Sequence, residues 1–381
     1  MPTSAVLNEA ARVLKLVQAG QPADAALRDT LGRTRHASAP ALRRAVSQTV
    51  FACFRWWRWL DPKQSLQKQA AAALELQARF DRAPASFKAE ALAARAVPEW
   101  LKTEMDVPAA WLRQLQRPPT LWLRAKQIEA ANLSARLGDC EPAPETYSLK
   151  LTAYRFSGTR DLFLTDEFCD GRFEIQDLAS QLVGHACSPA PGQTWWDACA
   201  GEGGKTLHLS DLMQNKGMIW ASDRSARRLD QLKKRAARAA MFNYRTAPWD
   251  GGAKLPTKTR FDGVLIDAPC SGIGTWQRNP HARWTASPDD VRELATVQER
   301  LLDHAAPALK PGGRLVYSVC TLTRAETTVI ADAFTAAHPE FEPVPVFPNR
   351  PAASTDSTQL FLWPQELDAN GMFVAAWRRR P

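Results

Sequence analysis

Two cysteines pose the chemical question. Cys270 follows an apolar run and Pro269 in "FDGVLIDAPCSGIGT". Cys320 closes a second apolar run in "GRLVYSVCTL", fifty residues later. Thiols that end two strands on one side of a parallel sheet can converge on one pocket. A cysteine outside a disulfide is more often a small buried hydrophobe, and that reading suits Cys53, Cys140, Cys169 and Cys187. It suits Cys270 and Cys320 less, because Pro269, Gly272, Ser318 and Thr321 frame them with turn-forming and polar residues. Asp267 adds a carboxyl three residues before Cys270. Lys205 adds a cation able to lower a thiol pKa or to hold a substrate base.

These residues need a sheet to position them. From residue 190 apolar runs alternate with helical segments: "TWWDACA" before "KTLHLSDLM", "MIWASD" before "RSARRLDQLKKRAARAA", then "FDGVLIDAP" and "PGGRLVYSVC". The alternation predicts an α/β fold with a doubly wound, mostly parallel sheet. Such sheets bind ligands beyond the carboxyl ends of their strands. The turn "DACAGEGGKT", residues 197–206, carries Gly201, Gly203 and Gly204, which let backbone approach a ligand. It is neither GxGxxG nor a P-loop, since Cys199 stands where the P-loop needs its first glycine. Asp223 ends the next apolar run, where an acid binds ribose hydroxyls; the competing use is to cap the helix starting near Ser225. Turn and acid together suit a nucleoside without phosphates, S-adenosyl-L-methionine.

A thiol beside a methyl donor has a specific use. Cytosine C5 is a weak nucleophile. A thiolate adding to C6 makes C5 enamine-like and able to take a methyl group. Release then requires removal of the C5 proton and expulsion of the thiol. A carboxyl near N3 assists as charge develops, and Asp267 is placed for that. On the residues alone, Cys270 and Cys320 both remain candidates for the attacking thiol.

"DACAGEGGKT", "IDAPCSGIGT", "QRNPHARW" and "LVYSVCTL" resemble the motifs of the RNA (cytosine-5) methyltransferases of the RsmB/NOP2/NSUN family. "GRFEIQDLASQLV" (171–183) resembles the segment before that family's cofactor motif, and "FLWPQELDANGMFVAAWRRR" its closing strand pair. "FRWWRWLD" and the helical N-terminus resemble the NusB-like domain of the family's bacterial ribosomal RNA enzyme. The resemblance implies a Rossmann-like methyltransferase sheet. It implies Cys320 as nucleophile, Cys270 as the cysteine assisting release, and Asp267 as the acid contacting cytosine and cofactor, with Lys205 beside them. It implies cofactor contacts from Cys199, Ala200, Gly201, Glu202, Gly203, Gly204, Lys205, Asp223, Asp250 and Asp267. Glu202 stands where the family often has Pro, and Thr327 where it commonly has Asn.

The chain has 381 residues and a formal net charge of +9. The length allows two or three domains, and the charge suits a polyanionic partner such as RNA. Between Arg28 and Lys63 there are eight Lys/Arg against Asp29 and Asp61. There "FRWWRWLD" reads either as core tryptophans with snorkelling arginines or as an RNA-facing surface. No apolar run is long enough to span a membrane. Seven dispersed cysteines without CxxC pairs predict neither disulfides nor a metal site but a reducing, cytoplasmic setting. The expected organisation is a shortened NusB-like helical RNA-binding domain over 1–90, a small α/β RNA-binding module over 91–170 with strand-like "TLWLRAK" and "DLFLTDEF", and the methyltransferase domain over 171–381. The expected activity is formation of 5-methylcytosine in 16S rRNA by a monomer. Its rivals are the same chemistry on transfer RNA, another RNA or DNA, and a non-catalytic RNA-binding or assembly factor on this fold.

Overall fold

The computed structural model describes residues 2–33, 40–348 and 357–381; residues 34–39 of the basic stretch lie outside them. The chain divides into two compact units. One comprises 1–118 and 276–286, the other 119–275 and 287–381.

The first unit is helical. Helices Ser4–Gln18, Pro40–Arg55 and Leu66–Arg82 present Val13, Leu14, Val50, Phe54, Ala73 and Phe80 to a common interior. Trp56 is fully buried against Trp59, Phe80 and Phe87, and its indole N–H donates to Gln77 at 3.1 Å. Arg55 is buried too, while Arg58 is exposed and lies over Trp284. "FRWWRWLD" therefore builds core with its first half and leaves Arg58 at the surface. The motif "QRNPHARW" belongs to this unit. Trp276 packs on Trp100 and Trp111. The buried Arg283 donates to the carbonyls of Ala96 and Leu115, both at 3.0 Å.

The second unit holds twelve strands among the described residues. The first four are β1 (Leu121–Ala125), β2 (Cys140–Pro142), β3 (Ala153–Phe156) and β4 (Phe173–Ile175), an antiparallel sheet in the order β2-β3-β1-β4. "TLWLRAK" supplies β1, but "DLFLTDEF" is not a strand. It forms a 3-10 turn, Leu162–Leu164, and a short helix, Asp166–Cys169. Asp161 accepts from the Phe163 amide and Thr165 from the Phe168 amide, so side-chain caps override the apolar run.

The large sheet contains β5 (Thr194–Asp197), β6 (Met218–Ala221), β7 (Tyr244–Thr246), β8 (Phe261–Asp267), β9 (Leu309–Val319), β10 (Phe341–Pro343), β11 (Gln359–Leu362) and β12 (Met372–Arg379). Its order is β10-β12-β9-β8-β5-β6-β7, with β11 also on β12. Strands β7-β6-β5-β8-β9 run parallel, and β12 is antiparallel to β9. Both faces are covered. Trp195, Leu265 and Val316 join one apolar cluster, Trp196, Val264, Ile266 and Tyr317 the other. Near-continuous apolar strands are what a sheet buried on both faces requires. Chain order reverses between β5 and β8, so the crevice beyond their carboxyl ends is where a Rossmann-like sheet takes its ligand. No helix among the described residues is long and apolar enough to cross a membrane.

Candidate active site

Every sequence-selected residue lies at that carboxyl edge. A cleft of about 490 Å³ is lined by Cys199, Ala200, Gly201, Glu202, Asp223, Asp250, Asp267, Cys270 and Cys320, with Trp249, Arg224, Arg228 and Arg300. That volume suits a small-molecule ligand. Gly203, Gly204 and Lys205 are not in its wall; Gly203 ends the turn, and Gly204 and Lys205 open the following helix.

The turn runs from β5 into the helix Gly204–Leu212. Gly203 has φ +87°, and its Cα faces Leu232 so closely that a Cβ would come within 2.6 Å; only glycine fits. No side chain caps this helix, so its first amides remain available to an anionic group. Asp223 accepts from the Gly201 amide at 3.0 Å and the Ser225 amide at 2.8 Å. It thus ties the glycine turn to the segment before the next helix while lining the cleft; the N-cap of that helix is Ser225 and no side chain caps it, so Asp223 is not its cap. Asp250 accepts from the Gly252 amide at 2.8 Å.

At the chemical end, the ends of β8 and β9 are in register, Asp267 opposite Ser318. The two chain segments that follow bring Cys270 Sγ to 3.4 Å from Cys320 Sγ. No disulfide forms among the seven cysteines. Burial alone describes Cys53 and Cys187, but Cys169 is exposed and Cys140 half-buried, which corrects the expectation that all four are core. Asp267 is held from both sides. Lys205 Nζ lies 2.6 Å from Oδ2, and Ser318 Oγ donates to Oδ1 at 2.8 Å. Burial is the largest influence and works against the Lys205 cation, but Asp267, with smaller help from Cys320 and Asp197, leaves the lysine pKa raised. Cys270 is pushed well above the usual thiol range, first by its hydrogen bond with Cys320, then by burial. Burial raises Cys199 likewise.

Residues not singled out from sequence complete the arrangement. Asp197, at the end of β5, is fully buried; Thr206 donates to its Oδ2 at 2.7 Å. Glu326, six residues after Cys320, accepts from Thr321 and Ser271, the residues that follow the two cysteines. The only sequence signal for Glu326 is its proximity to the cysteine.

A family model described as 16S rRNA methyltransferase RsmB/F matches residues 185–378. The probable ribosomal RNA small subunit methyltransferase B of Bacillus subtilis (strain 168) is 35% identical over 222 residues, which is 57% of this chain and 50% of the relative. The chain spans about half to under two thirds of the length of the curated relatives it matches. The crystal structure of PH0851 superposes with a TM-score of 0.75 at 22% identity, over 100% of this chain and 99% of the other; it shows the shared fold. NSun6 from Pyrococcus horikoshii, solved with SFG, gives a TM-score of 0.52 at 26% identity, over 58% and 57%.

Proposed function

The chain belongs to the 16S rRNA methyltransferase RsmB/F family, and from that premise we propose that it forms 5-methylcytosine in small-subunit ribosomal RNA, using S-adenosyl-L-methionine. The observation that carries the reading is the thiol pair at 3.4 Å, set beside an Asp267 that Lys205 and Ser318 hold in place.

Cys320 adds its sulfur to cytosine C6, and the electron pair of the C5–C6 double bond makes C5 nucleophilic. S-Adenosylmethionine supplies the electrophilic methyl group when bound. The Asp267 carboxyl, in its protonated form with the proton relayed from Lys205 Nζ at 2.6 Å, donates a hydrogen bond to N3 as negative charge develops there. The C5 proton passes to water, and the Cys270 thiol, 3.4 Å from Cys320 Sγ, hydrogen-bonds the departing sulfur. The electrons of that C–H bond restore the double bond, and the bond from C6 to Cys320 breaks. The target base must be unstacked to enter such a cleft.

The cleft's features fit the cofactor. Residues Cys199 to Lys205 form a close-approach turn, the uncapped start of the helix Gly204–Leu212 suits a carboxylate, and Asp223 and Asp250 offer acceptors to hydroxyls or an amine. A relative solved with SFG, an analogue of this cofactor, supports the assignment. The helical unit, with its NusB-like resemblance, and the module built on β1–β4 serve as RNA-holding surfaces, and the net charge of +9 makes their affinity salt-sensitive.

The test is methyl transfer in vitro from labelled cofactor to deproteinised small-subunit ribosomal RNA, with bisulfite sequencing of the product. One cytosine should become resistant. Cys320→Ala should lose this activity without unfolding, and Cys270→Ala should leave protein covalently attached to RNA on a denaturing gel. Methylation confined to transfer RNA would move the substrate. Cys320→Ala with full activity would remove the mechanism.

A further inference from the structure

Glu326 is fully buried, a costly place for a carboxyl group unless every oxygen is satisfied. Five donors meet its two oxygens. Oε1 accepts from the Ser271 amide at 2.8 Å and Gln298 Nε2 at 3.1 Å. Oε2 accepts from Thr321 Oγ1 at 3.2 Å, from Thr323 Oγ1 at 2.9 Å and from Ser271 Oγ. Its partners all donate, which is how a carboxylate is used.

The partners are not a random set. Ser271 follows Cys270, and Thr321 follows Cys320; their hydroxyls are 2.9 Å apart. Gln298 Nε2 also donates to the carbonyl of Pro269, just before Cys270, at 2.9 Å. Tyr317, just upstream of Cys320, places its hydroxyl between the Glu326 carbonyl at 2.7 Å, the nearer acceptor, and Gln298 Oε1 at 3.0 Å. One carboxylate thus grips the chain beside both cysteines.

We infer that Glu326 is a positioning residue that holds the segments after β8 and β9 together and so sets the sulfur atoms of Cys270 and Cys320 at their 3.4 Å separation. The geometric part stands by itself. Its catalytic consequence, that release of the adduct depends on Glu326, rests on the function proposed above. Hydrogen bonds to a charged group are about twice as strong as neutral ones, so the grip is a firm one. The charge of Glu326 also contributes, after Cys320 and burial, to keeping the Cys270 thiol protonated.

The geometric part is tested without RNA. Phenylarsine oxide, a trivalent arsenical, is captured by two thiols held close together. The full chain should bind one equivalent that disappears in Cys270→Ala and in Cys320→Ala but survives Cys199→Ser. Glu326→Gln replaces an acceptor by a donor facing donors, and capture should weaken by about tenfold or more, the scale expected for loss of a charged hydrogen bond. Should Glu326→Gln melt far below the wild type, Ser271→Ala, which removes one strut only, takes its place and should weaken capture by several-fold in an intact fold. Wild-type capture in a folded Glu326→Gln, or in Ser271→Ala where that variant stands in, would overturn the inference.

The catalytic part uses the RNA assay. Glu326→Gln should accumulate covalent protein–RNA adduct as Cys270→Ala does, while cofactor affinity stays within about twofold. Loss of cofactor affinity in parallel with turnover, with no adduct, would reduce Glu326 to a structural residue. If the wild-type protein methylates no RNA while capture still depends on Glu326, the proposed function fails and the positioning role survives.

Discussion

At the scale of single residues, Asp197 gives the sharpest handle. Its Oδ1 has no partner among the described residues, and burial, opposed by the Thr206 hydrogen bond, raises its pKa to about 7. The folded chain therefore keeps this proton up to about pH 7, whereas the unfolded chain gives it up near pH 4. In that window the native state holds more protons than the unfolded one, so stability falls as pH rises and levels off above about pH 7. The slope from one such group is at most about 1.4 kcal/mol per pH unit. Asp197→Asn keeps the shape and removes the titration. Urea midpoints at about pH 5 and pH 7 should drop for the wild type and hold level for the variant; an equal drop in both would exclude Asp197 as the source. The residues that do chemistry were legible because their types are rare together: two cysteines at strand ends, Asp267 before one, Lys205 in a glycine turn. Asp197 and Glu326 were not, because a carboxyl becomes informative only through burial and partners, and neither is written in local spacing.

Elements explain how the cysteine segments stay put. The 3-10 turn Ile273–Thr275 after Cys270 is clamped on two sides. The Gly274 amide donates to the Cys320 carbonyl at 3.0 Å, and the Gly274 carbonyl accepts from the Gly371 amide at 2.8 Å. A Cβ on Gly274 would sit 2.0 Å from the Gly371 carbonyl oxygen. Both sides of that clash are backbone, so no side chain can swing away. Gly274→Ala should cost roughly 1–3 kcal/mol, as overpacking does, and should lower the thermal midpoint while weakening arsenical capture by the thiol pair. A variant that melts and captures like the wild type would show that this contact does not hold the turn. Element type was read correctly wherever periodicity was long, as in the parallel strands and the N-terminal helices. It failed at "DLFLTDEF", where Asp161 and Thr165 cap short turns and the apolar alternation carried no strand.

On the scale of the whole molecule, the two units are not contiguous in sequence. Residues 276–286 belong to the helical unit although the residues on either side of them belong to the other. Composition marks the long helical and α/β stretches, but it cannot mark eleven residues whose assignment depends on tertiary contact. The physical reason for the assignment is specific. Arg283 is fully buried, and its pKa is lowered by burial to about 9, so it remains a cation at neutral pH. It satisfies the carbonyls of Ala96 and Leu115, which end near the helices Ala89–Arg95 and Ala109–Gln114. Cations at helix carboxyl ends oppose the dipole, and removing this one leaves two carbonyls short of donors, at about 1–3 kcal/mol each. Trp276 fills the space against Trp100 and Trp111, and its loss to Ala adds a cavity cost of about 3–5 kcal/mol. A fragment ending at residue 118 loses both at once, which is comparable to the whole stability of a typical domain. It should therefore show helical circular dichroism without a cooperative melt. In the full chain, Arg283→Met should raise amide hydrogen exchange in those two helices and leave the strands β5 to β9 protected. A cooperatively folding 1–118 fragment would mean that residues 276–286 merely rest on a helical unit already stable without them.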